Sequence, residues 1–371
     1  MRLGIDGREL VAGARTGIGR YVREVLRAAA ARGWRSTVYG DARTVLADAP
    51  AGVTLTRLAA PGTRWWDQVA LPRALRRTGA DIFLSPYYKG PVAAPCPVVL
   101  TVHDLYFIGY GGRHRPLRDF VLTAAARLYA RRARAIVTSS AYSRRAVIEQ
   151  LEVDPAKVTA LGVAVGAEFV PTPLTAAARA RYGLAASYVL FVGNFMPHKN
   201  VDGLLFAWAS LPATLRAAHQ LVLAGGDIER RPRLEALARA LGVTASVLFP
   251  GRIGDADLPG LYSACAAFVL PSLDEGFGLP AVEAMACGAP VIVSDRGALP
   301  EVAGPGAAVV DVAAEGALAA ALARVLLERA HRDALRRRGR ARASDFAPHR
   351  TAGCVLDLLE SLAGAPVGAT R

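Results

Sequence analysis

The stretch Phe268–Gly288, FVLPSLDEGFGLPAVEAMACG, decides the fold of this chain. An apolar, strand-like run is followed by a loop with two acidic residues and two glycines, and then by a helix predicted to begin near Pro280, since proline suits the first helical turn. Neither Gly278 nor Leu279 offers a side-chain oxygen to cap that helix, so its first N–H groups are available to an anion such as a diphosphate. A strand, loop and helix in this order are typical of open parallel α/β sheets, which bind ligands at the carboxyl ends of their strands.

Two glutamates of this stretch, Glu275 on the loop and Glu283 in the predicted first turn of the helix, have seven residues between them. Both side chains can face the crevice at the end of the strand. Each has a structural alternative, because Glu283 could complement the helix dipole and Glu275 could be solvated. Together with the two glycines and the uncapped helix start, they favour a ligand site.

Short β-branched runs alternate with long Ala/Leu/Arg runs of helical period, which indicates βαβ units and parallel sheets. Residues 162–175 interrupt this alternation with two prolines and no period, and they are predicted to be a linker. We therefore expect two doubly wound domains, residues 1–168 and 169–348, and a C-terminal helix and frayed tail over 349–371, the helix returning to the first domain. The predicted strands are Leu3–Asp6, Ser36–Tyr39, Ile82–Ser85, Val98–Val102, Ala135–Ser139, Tyr188–Val192, Gln220–Ala224, Ser246–Phe249, Ala267–Leu270 and Pro290–Ser294.

The charge of the chain is concentrated in its first half. The net charge is +14, from 45 Lys and Arg against 31 Asp and Glu. Residues 1–180 hold 26 basic and 13 acidic residues, a balance of +13, whereas residues 181–371 hold 19 and 18, a balance of +1. Such a basic half predicts an anionic partner: nucleic acid, an anionic membrane or a phosphorylated substrate.

The composition excludes several classes of protein. With 53% hydrophobic and 20% charged residues, the chain is too apolar for a disordered polyelectrolyte. No apolar run approaches the roughly 18 residues that a spanning helix needs, and Met1–Gly7 leave no room for a signal peptide, so we expect a cytoplasmic protein. The four cysteines are widely spaced, form no metal or redox motif, and are predicted to be reduced, buried thiols.

The segment EGFGLPAVE is similar to the E-x7-E element of retaining glycosyltransferases of family GT4, which have the GT-B fold of two Rossmann-like domains. Three further stretches agree in order. TGIGRY at Thr16–Tyr21 resembles the first glycine loop of that family, VHDL at Val102–Leu105 its histidine-bearing loop, and VGNFMPHKN at Val192–Asn200 its phosphate-binding loop. The similarity extends to PVIVSDRGALPEV and covers nearly the whole chain.

The resemblance implies that Glu275 holds hydroxyls of a donor sugar, Glu283 the ribose and Lys199 the diphosphate of a nucleotide sugar. It also implies a metal-independent transfer in which the leaving diphosphate takes the proton of the acceptor, with no cofactor besides the nucleotide-sugar donor. The predicted catalytic residues are His103, Lys199 and Glu275. The predicted donor-binding residues are Gly17, Gly19, Gly193, Asn194, His198, Lys199, Arg252, Glu275, Gly276, Phe277, Gly278, Leu279 and Glu283.

Lys199 also stands out by itself, as the one lysine among the 19 basic residues of the second half. It follows a predicted strand and Pro197, so it lies at the carboxyl edge of the sheet. A departing diphosphate needs fixed positive donors, and removing one such donor costs about 3 kcal/mol of barrier. Many family members pair this lysine with an arginine nearby. This chain has Asn194 and His198 there instead, and Arg252 is our candidate for the second cation.

The glycine loop of the first half does not complete the G-x-G-x-x-G fingerprint, because Val22 stands where the third glycine is needed, and this weighs against an NAD enzyme. Gly17 and Gly19 can still admit a phosphate or sugar closely, and Thr16 as a helix cap is the structural alternative. His103 ends a predicted strand, where its ring could interact with a sugar hydroxyl or with the positive charge that develops on the sugar, and a structural role is the alternative. Three serines that follow another strand end are predicted to be helix caps: Ser139, Ser140 and Ser143.

Two helical runs of the first half combine apolar residues with arginines. Arg64–Arg77 contains Trp65 and Trp66, and Pro72 is expected to bend or end it. Arg115–Arg134 places apolar residues at helical spacing: Leu117, Phe120, Val121, Ala124 and Leu128. These runs are either core-facing stripes with solvated arginines or a surface that docks on anionic lipid.

These observations predict a retaining glycosyltransferase with GDP-mannose as the first donor, UDP-glucose and related donors remaining open. The motifs look most like bacterial mannosyltransferases of cell-surface polysaccharides. The expected acceptor is a glycan or a lipid-diphosphate-linked saccharide, with no nucleic acid, and the expected location is cytoplasmic and peripheral on the inner face of the membrane. One alternative is a sugar-nucleotide epimerase of the same fold. The other is a non-catalytic basic protein that binds membrane or nucleic acid, which leaves EGFGLPAVE unexplained.

Overall fold

The computed structural model describes residues 1–11, 16–46, 49–106, 116–225 and 229–363. The chain forms two compact units. Unit 1 comprises Met1–Ala164 and Pro348–Arg371, and unit 2 comprises Val165–Ala347. Each unit is built on its own parallel sheet.

The sheet of unit 1 has seven parallel strands in the order β3-β2-β1-β4-β5-β6-β7. Leu3 of β1, an interior strand, lies opposite Ser36 on one side and Ile82 on the other. The strands are β1 (Arg2–Asp6), β2 (Arg35–Gly40), β3 (Val53–Arg57), β4 (Ile82–Ser85), β5 (Val98–Val102), β6 (Ala135–Thr138) and β7 (Val158–Ala160). The helices between them are α1 (Gly17–Ala31), α2 (Thr63–Trp65), α3 (Leu71–Thr78), α4 (Pro116–Arg132) and α5 (Ala141–Leu151), with a 3-10 turn at Pro155–Lys157.

Pro72 does not end its helical stretch, which continues from Thr63 to Thr78. It is the second residue of α3, and the π-helical segment Trp66–Ala70 connects α2 to α3 directly before it. Proline has no N–H and cannot donate a hydrogen bond to the preceding turn of a helix. The π-helical segment lies in the turn before Pro72, where that hydrogen bond is missing.

The apolar stripe of α4 does not face the core, contrary to one of the two expectations. Leu117 is 77% exposed and Phe120 71% exposed, and Val121 and Leu128 are exposed as well. The helix instead buries its small residues Ala126 and Ala130. Arg115, with which the predicted helix begins, lies outside the described residues.

The sheet of unit 2 has six parallel strands in the order β10-β9-β8-β11-β12-β13. The strands are β8 (Tyr188–Gly193), β9 (Gln220–Gly225), β10 (Val247–Gly251), β11 (Ala267–Leu270), β12 (Val291–Ser294) and β13 (Ala307–Val310). The helices are α6 (Ala176–Tyr182), α7 (Val201–Ala209), α8 (Ala213–Ala218), α9 (Arg231–Ala240), α10 (Leu258–Ala264), α11 (Leu279–Ala286), α12 (Leu299–Ala303), α13 (Ala317–Leu327) and α14 (Arg329–Ala343). Short 3-10 turns lie at Pro197–Lys199, Thr244–Ser246, Gly304–Gly306 and Ser344–Phe346.

The last helix, α15 (Pro348–Ala363), belongs to unit 1, which confirms that the C-terminal helix returns to the first domain. Its Leu356 and Leu359 are fully buried in one core with Val22 and Leu26 of α1. The predicted tail from Gly364 lies outside the described residues. None of the described helices has both the length and the apolar character that a bilayer span requires.

The ten predicted strands are confirmed to within two residues at either end. Three strands were not predicted from the sequence: β3, β7 and β13. Each of them is an edge strand of its sheet.

The four cysteines differ in exposure. Cys96, Cys265 and Cys287 are buried free thiols as expected, and burial raises the pKa of Cys265 to about 12. Cys354 is exposed, contrary to expectation, because it lies on the face of α15 opposite the buried Val355 and Leu359.

Candidate functional site

Two loops meet at the carboxyl ends of β8 and β11, which are hydrogen-bonded neighbours in the sheet of unit 2. The Leu273 N–H donates to the His198 carbonyl at 2.7 Å. Asn200, which has a left-handed backbone with φ of 54°, donates from Nδ2 to the Pro271 carbonyl at 3.1 Å. The predicted phosphate-binding loop and the Glu275 loop are therefore bonded to each other.

Lys199 and Glu275 form an ion pair inside this junction. Lys199 Nζ donates to Glu275 Oε1 at 2.5 Å, and Ser272 Oγ donates to the same oxygen at 2.8 Å. The two side chains are only 14% and 8% exposed. A buried charge pair is tolerated when its members are bonded to each other and to further polar groups, and both conditions hold here.

The turn between β12 and α12 holds the backbone of Glu275, a contact that was not predicted from the sequence. The Ala298 N–H donates to the Glu275 carbonyl at 2.9 Å. Gly297 has φ of +61°, and a Cβ on it would lie 2.6 Å from the Glu275 nitrogen. Only glycine fits so close to that backbone. The signal was present, since this glycine lies within the PVIVSDRGALPEV motif.

His198 is neutral near pH 7 and has two cations nearby. Burial, followed by the charge of Lys199, lowers the pKa of its imidazole to about 4; the charge of Glu275 acts in the opposite direction, and that of Arg230 lowers the pKa further. Arg230, which follows β9, the other neighbour of β8, is thus a cation near the loop that the sequence analysis missed. The arginine pair that follows a strand end was the signal that could have identified it.

Arg252, the predicted second cation, is exposed after the edge strand β10. Among the residues that the structure describes, it has no hydrogen bond or ion pair to Lys199 or Glu275. Its role toward a diphosphate stays a prediction.

The remaining loop residues have local structural roles. Asn194 Oδ1 accepts from the Met196 N–H at 3.3 Å, which closes a turn. Gly193 ends β8 so close to the next strand that a Cβ on Gly225 would lie 2.4 Å from the Gly193 oxygen. Gly276 is buried in the Glu275 loop. Phe277 is 7% exposed and packs edge-on against Phe346, with ring centroids 5.3 Å apart.

Helix α11 begins as expected, without a side-chain cap. Gly278 precedes it with φ of +87°, and Leu279 and Pro280 are its first two residues. Its first N–H groups therefore have no side-chain acceptor at the N-cap, and the helix dipole adds positive potential there. This end of the helix can receive an anion.

Glu283 is the fifth residue of α11 and lies in the second turn rather than the first. It is 2% exposed, and its Oε2 accepts a hydrogen bond from the Tyr262 hydroxyl at 3.0 Å. The carboxylate thus has a structural partner inside the unit, and its contact with a ribose stays a prediction.

In unit 1, His103 follows β5 with its Nε2 buried and without a hydrogen-bond partner among the described residues. The ring packs edge-on against Tyr21, with centroids 5.3 Å apart. Burial lowers the pKa of His103 to about 4, so the imidazole is neutral near pH 7. A neutral imidazole nitrogen can accept or donate one hydrogen bond to a hydroxyl group.

The serines after β6 divide between two roles. Ser140 caps α5 by accepting from the Ser143 N–H at 2.9 Å. Ser139 and Ser143 instead donate from their hydroxyls to the His103 carbonyl, at 3.0 and 3.1 Å. These two serines fix the His103 backbone. All three serines were predicted to be helix caps, and only Ser140 is one.

Thr16 caps α1 by accepting from the Gly19 N–H at 3.0 Å, and its own hydroxyl donates to Glu9 at 2.8 Å. A Cβ on Gly19 would lie 3.2 Å from the Glu9 carbonyl oxygen, so the need for glycine here is explained by packing. Gly17 is the exposed first residue of α1. Contact of either glycine with a ligand stays a prediction.

The GT-B fold of glycosyltransferases has two units, each built on a parallel sheet with its ligand loops at the carboxyl ends of the strands, and this chain has that architecture. The family model "Glycosyltransferase Family 4" matches residues 15–165, and "Glycosyl transferases group 1" matches residues 182–342. The chain belongs to this glycosyltransferase family.

Two curated relatives from Escherichia coli are similar to part of the chain. The protein named serotype-specific mannosyltransferase WbdA is 35% identical over 221 residues, which is 57% of this chain and 27% of WbdA. The protein named O-antigen chain mannosyltransferase B is 33% identical over 217 residues, 58% of this chain and 57% of that protein. The chain therefore spans between about a quarter and about a half of the length of these relatives.

Solved structures share the fold along nearly the whole chain. Sucrose-phosphate synthase from Thermosynechococcus elongatus has a TM-score of 0.80 at 24% identity, covering 97% of this chain and 98% of its own. Anabaena Alr3699/HepE in complex with UDP and glucose has a TM-score of 0.74 at 20% identity, covering 97% and 99%.

Proposed function

We propose that this chain is a retaining hexosyltransferase that takes a hexose from a nucleotide sugar, with GDP-mannose as the first donor to test. The buried Lys199–Glu275 pair next to the start of α11, which no side chain caps, carries the proposal, since it puts a cation, a carboxylate and the positive end of a helix dipole at one sheet edge. The choice of mannose is supported by the relatives named as mannosyltransferases. UDP-sugars remain candidates, since HepE was solved with UDP and glucose.

In this proposal each side chain has one task. Lys199 and the α11 N-terminus bind the diphosphate and stabilise the charge that grows on it as the sugar–phosphate bond breaks. Glu275 accepts hydrogen bonds from sugar hydroxyls. The acceptor hydroxyl oxygen bonds to the anomeric carbon on the face that the diphosphate leaves, and its proton passes to the departing phosphate oxygen. In this proposal the fixed positive charges of the protein, rather than a metal ion, stabilise the negative charge of the leaving diphosphate.

A glycan or a lipid-diphosphate-linked saccharide is the proposed acceptor, and unit 1 is the proposed acceptor-binding unit. Unit 1 holds 27 basic and 14 acidic residues, a balance of +13, whereas unit 2 holds 18 and 17, a balance of +1. An anionic membrane surface is a further proposed partner, because unit 1 also exposes Trp65, Leu117 and Phe120. Basic and amphipathic side chains together favour such surfaces.

Thermal unfolding with a panel of nucleoside diphosphates tests the donor site. A ligand at about 100 times its Kd adds about 2.7 kcal/mol to the unfolding free energy and raises the Tm, and the nucleotide with the largest rise identifies the base. No rise with any nucleotide would refute the donor site. Formation of a sugar epimer from the donor in the absence of any acceptor would refute the transferase proposal and support the epimerase alternative.

Variants then test the two residues of the ion pair. Lys199→Ala should lower turnover by about 100-fold or more, and Glu275→Gln should lower it strongly, while both variants stay folded by circular dichroism. The matched controls are Lys157→Ala and Glu235→Gln, whose side chains lie on the surface. Full activity of Lys199→Ala or Glu275→Gln would refute the role of that residue.

A further inference from the structure

Four arginines and no carboxylate line a depression of about 530 Å³ in unit 1, which we call the arginine pocket. Its cations are Arg57, Arg73, Arg76 and Arg77, and short apolar side chains such as Leu58 and Ala70 complete it. It lies outside every motif that the proposed donor site uses.

The fold brings these arginines together from two elements. Arg57 is the last residue of β3, and the other three lie on α3. Arg73, Arg76 and Arg77 have helical spacings of three and four residues, so their side chains are neighbours on one face. Four like charges are thereby concentrated around one depression.

The charges of the arginine pocket are not balanced by the protein. Among the described residues, the side chains of Arg73, Arg76 and Arg77 have no ion pair or hydrogen bond, and the Arg57 side chain donates only to the Thr44 carbonyl, at 3.2 Å. All four arginines are exposed, so an anion can reach them from solvent, and an anion bound between neighbouring like charges relieves their repulsion. The arrangement therefore favours an anionic ligand.

A neighbouring depression of about 400 Å³, which shares Leu58 with the arginine pocket, differs from it in how its charges are paired. It is also lined by three cations, but each of them is paired. Arg8 contacts Asp6 at 2.6 Å and Asp67 at 2.7 Å, Lys89 contacts Asp67 at 3.2 Å, and Arg43 contacts Asp41 at 2.9 Å. The cations of this neighbouring depression are therefore balanced by carboxylates, whereas those of the arginine pocket are not.

We propose that the arginine pocket binds a phosphoryl group of the acceptor, a phosphate or a diphosphate. The planar fork of a guanidinium group matches phosphate oxygens with two parallel hydrogen bonds, and several arginines match the several charges of a diphosphate. The apolar lining suits the carbon chain attached to it. This inference rests on the proposed function, because that function supplies the acceptor. The phosphoryl group can belong to a soluble phosphorylated saccharide or to a lipid headgroup.

Calorimetric titration of the full chain with inorganic pyrophosphate tests the proposal. The donor site is first saturated with the nucleoside diphosphate that gives the largest thermal shift, or left empty if none does. The double variant Arg73→Ala/Arg76→Ala should lose pyrophosphate affinity by about tenfold or more, because charge-assisted hydrogen bonds are lost. The matched control Arg337→Ala/Arg338→Ala, a surface pair on α14, should keep it.

Sedimentation with phosphatidylcholine vesicles, with and without phosphatidylglycerol, tests whether the phosphoryl group belongs to a lipid headgroup or to a soluble saccharide. Loss of binding to the anionic vesicles in the double variant supports a lipid headgroup, whereas loss of pyrophosphate binding alone supports a soluble phosphorylated acceptor. The proposal is overturned if neither probe depends on Arg73 and Arg76, or if the control pair loses as much. Nucleotide binding is measured in the double variant as well. If it persists, a negative result for the arginine pocket is distinguished from a failure of the donor site.

Discussion

Lys199 and Glu275 compensate each other's charge within unit 2. Leaving either charge buried without a partner would cost several kcal/mol. For a donor to bind as proposed, its diphosphate has to replace Glu275 as the partner of Lys199, while sugar hydroxyls take the place of Lys199 at Glu275. Such an exchange keeps both charges bonded, so the ion pair prepares the site without blocking it.

At the same scale, His103 should make the stability of unit 1 depend on pH. Burial lowers its pKa to about 4, whereas a histidine in the unfolded chain titrates near about 6.5. The unfolded state therefore binds the proton more tightly, and the unfolding free energy falls as the pH decreases from about 6.5 toward 4. This contribution is fully present above about pH 6.5.

Replacing His103 by glutamine removes that contribution. Urea unfolding at a series of pH values should show the wild type losing up to about 3 kcal/mol more than His103→Gln between about pH 6.5 and 4. Other groups, among them His198, titrate equally in both proteins and cancel in the difference. Parallel pH profiles of the two proteins would contradict the burial of a neutral His103.

At the scale of elements, the strands that escaped the sequence analysis share a physical property. β3, β7 and β13 are edge strands and are only partly buried, whereas β4 and β5 are buried at every residue. A strand that is paired on one side only needs fewer apolar residues, and its sequence signal is weaker. Central strands were predictable because burial on both faces demands β-branched and aromatic residues.

The start of α11 predicts a difference between two glycines of unit 2. Gly278 and Gly316 both precede helices with positive φ, +87° and +73°. A Cβ on Gly278 would lie 2.3 Å from Leu299 Cδ2, whereas a Cβ on Gly316 would meet no atom within 4 Å. Gly316→Ala should cost about 1 kcal/mol of unfolding free energy from backbone strain alone, and Gly278→Ala roughly 2–4 kcal/mol.

Chemical denaturation of both variants measures this difference. The Gly316 variant is the matched control, because it has the strain without the steric clash. Equal losses in the two variants would mean that Leu299 moves aside at no cost, and that Gly278 is needed only for its backbone conformation.

At the scale of the whole molecule, the end of the chain completes the core of its beginning. Leu356 of α15 is fully buried with residues of α1, so Leu356→Ala should cost about 2–5 kcal/mol of unfolding free energy through lost burial and a cavity. Leu117→Ala, at a side chain that is 77% exposed, should change it by less than about 0.5 kcal/mol. Urea unfolding compares them, and similar losses would show that α15 adds little to unit 1.

The sequence by itself determined the central strands, the uncapped start of α11, the family motifs and the uneven charge, because these depend on residues close together along the chain. Only the tertiary structure decided which side chains meet. Lys199 contacts Glu275 across 76 positions, Tyr262 bonds the buried Glu283, and β3 and α3 together form the arginine pocket. The exposure of the apolar residues of α4 was likewise visible only in the tertiary structure. Such contacts depend on the path of the chain between distant residues, and local periodicity contains no information about that path.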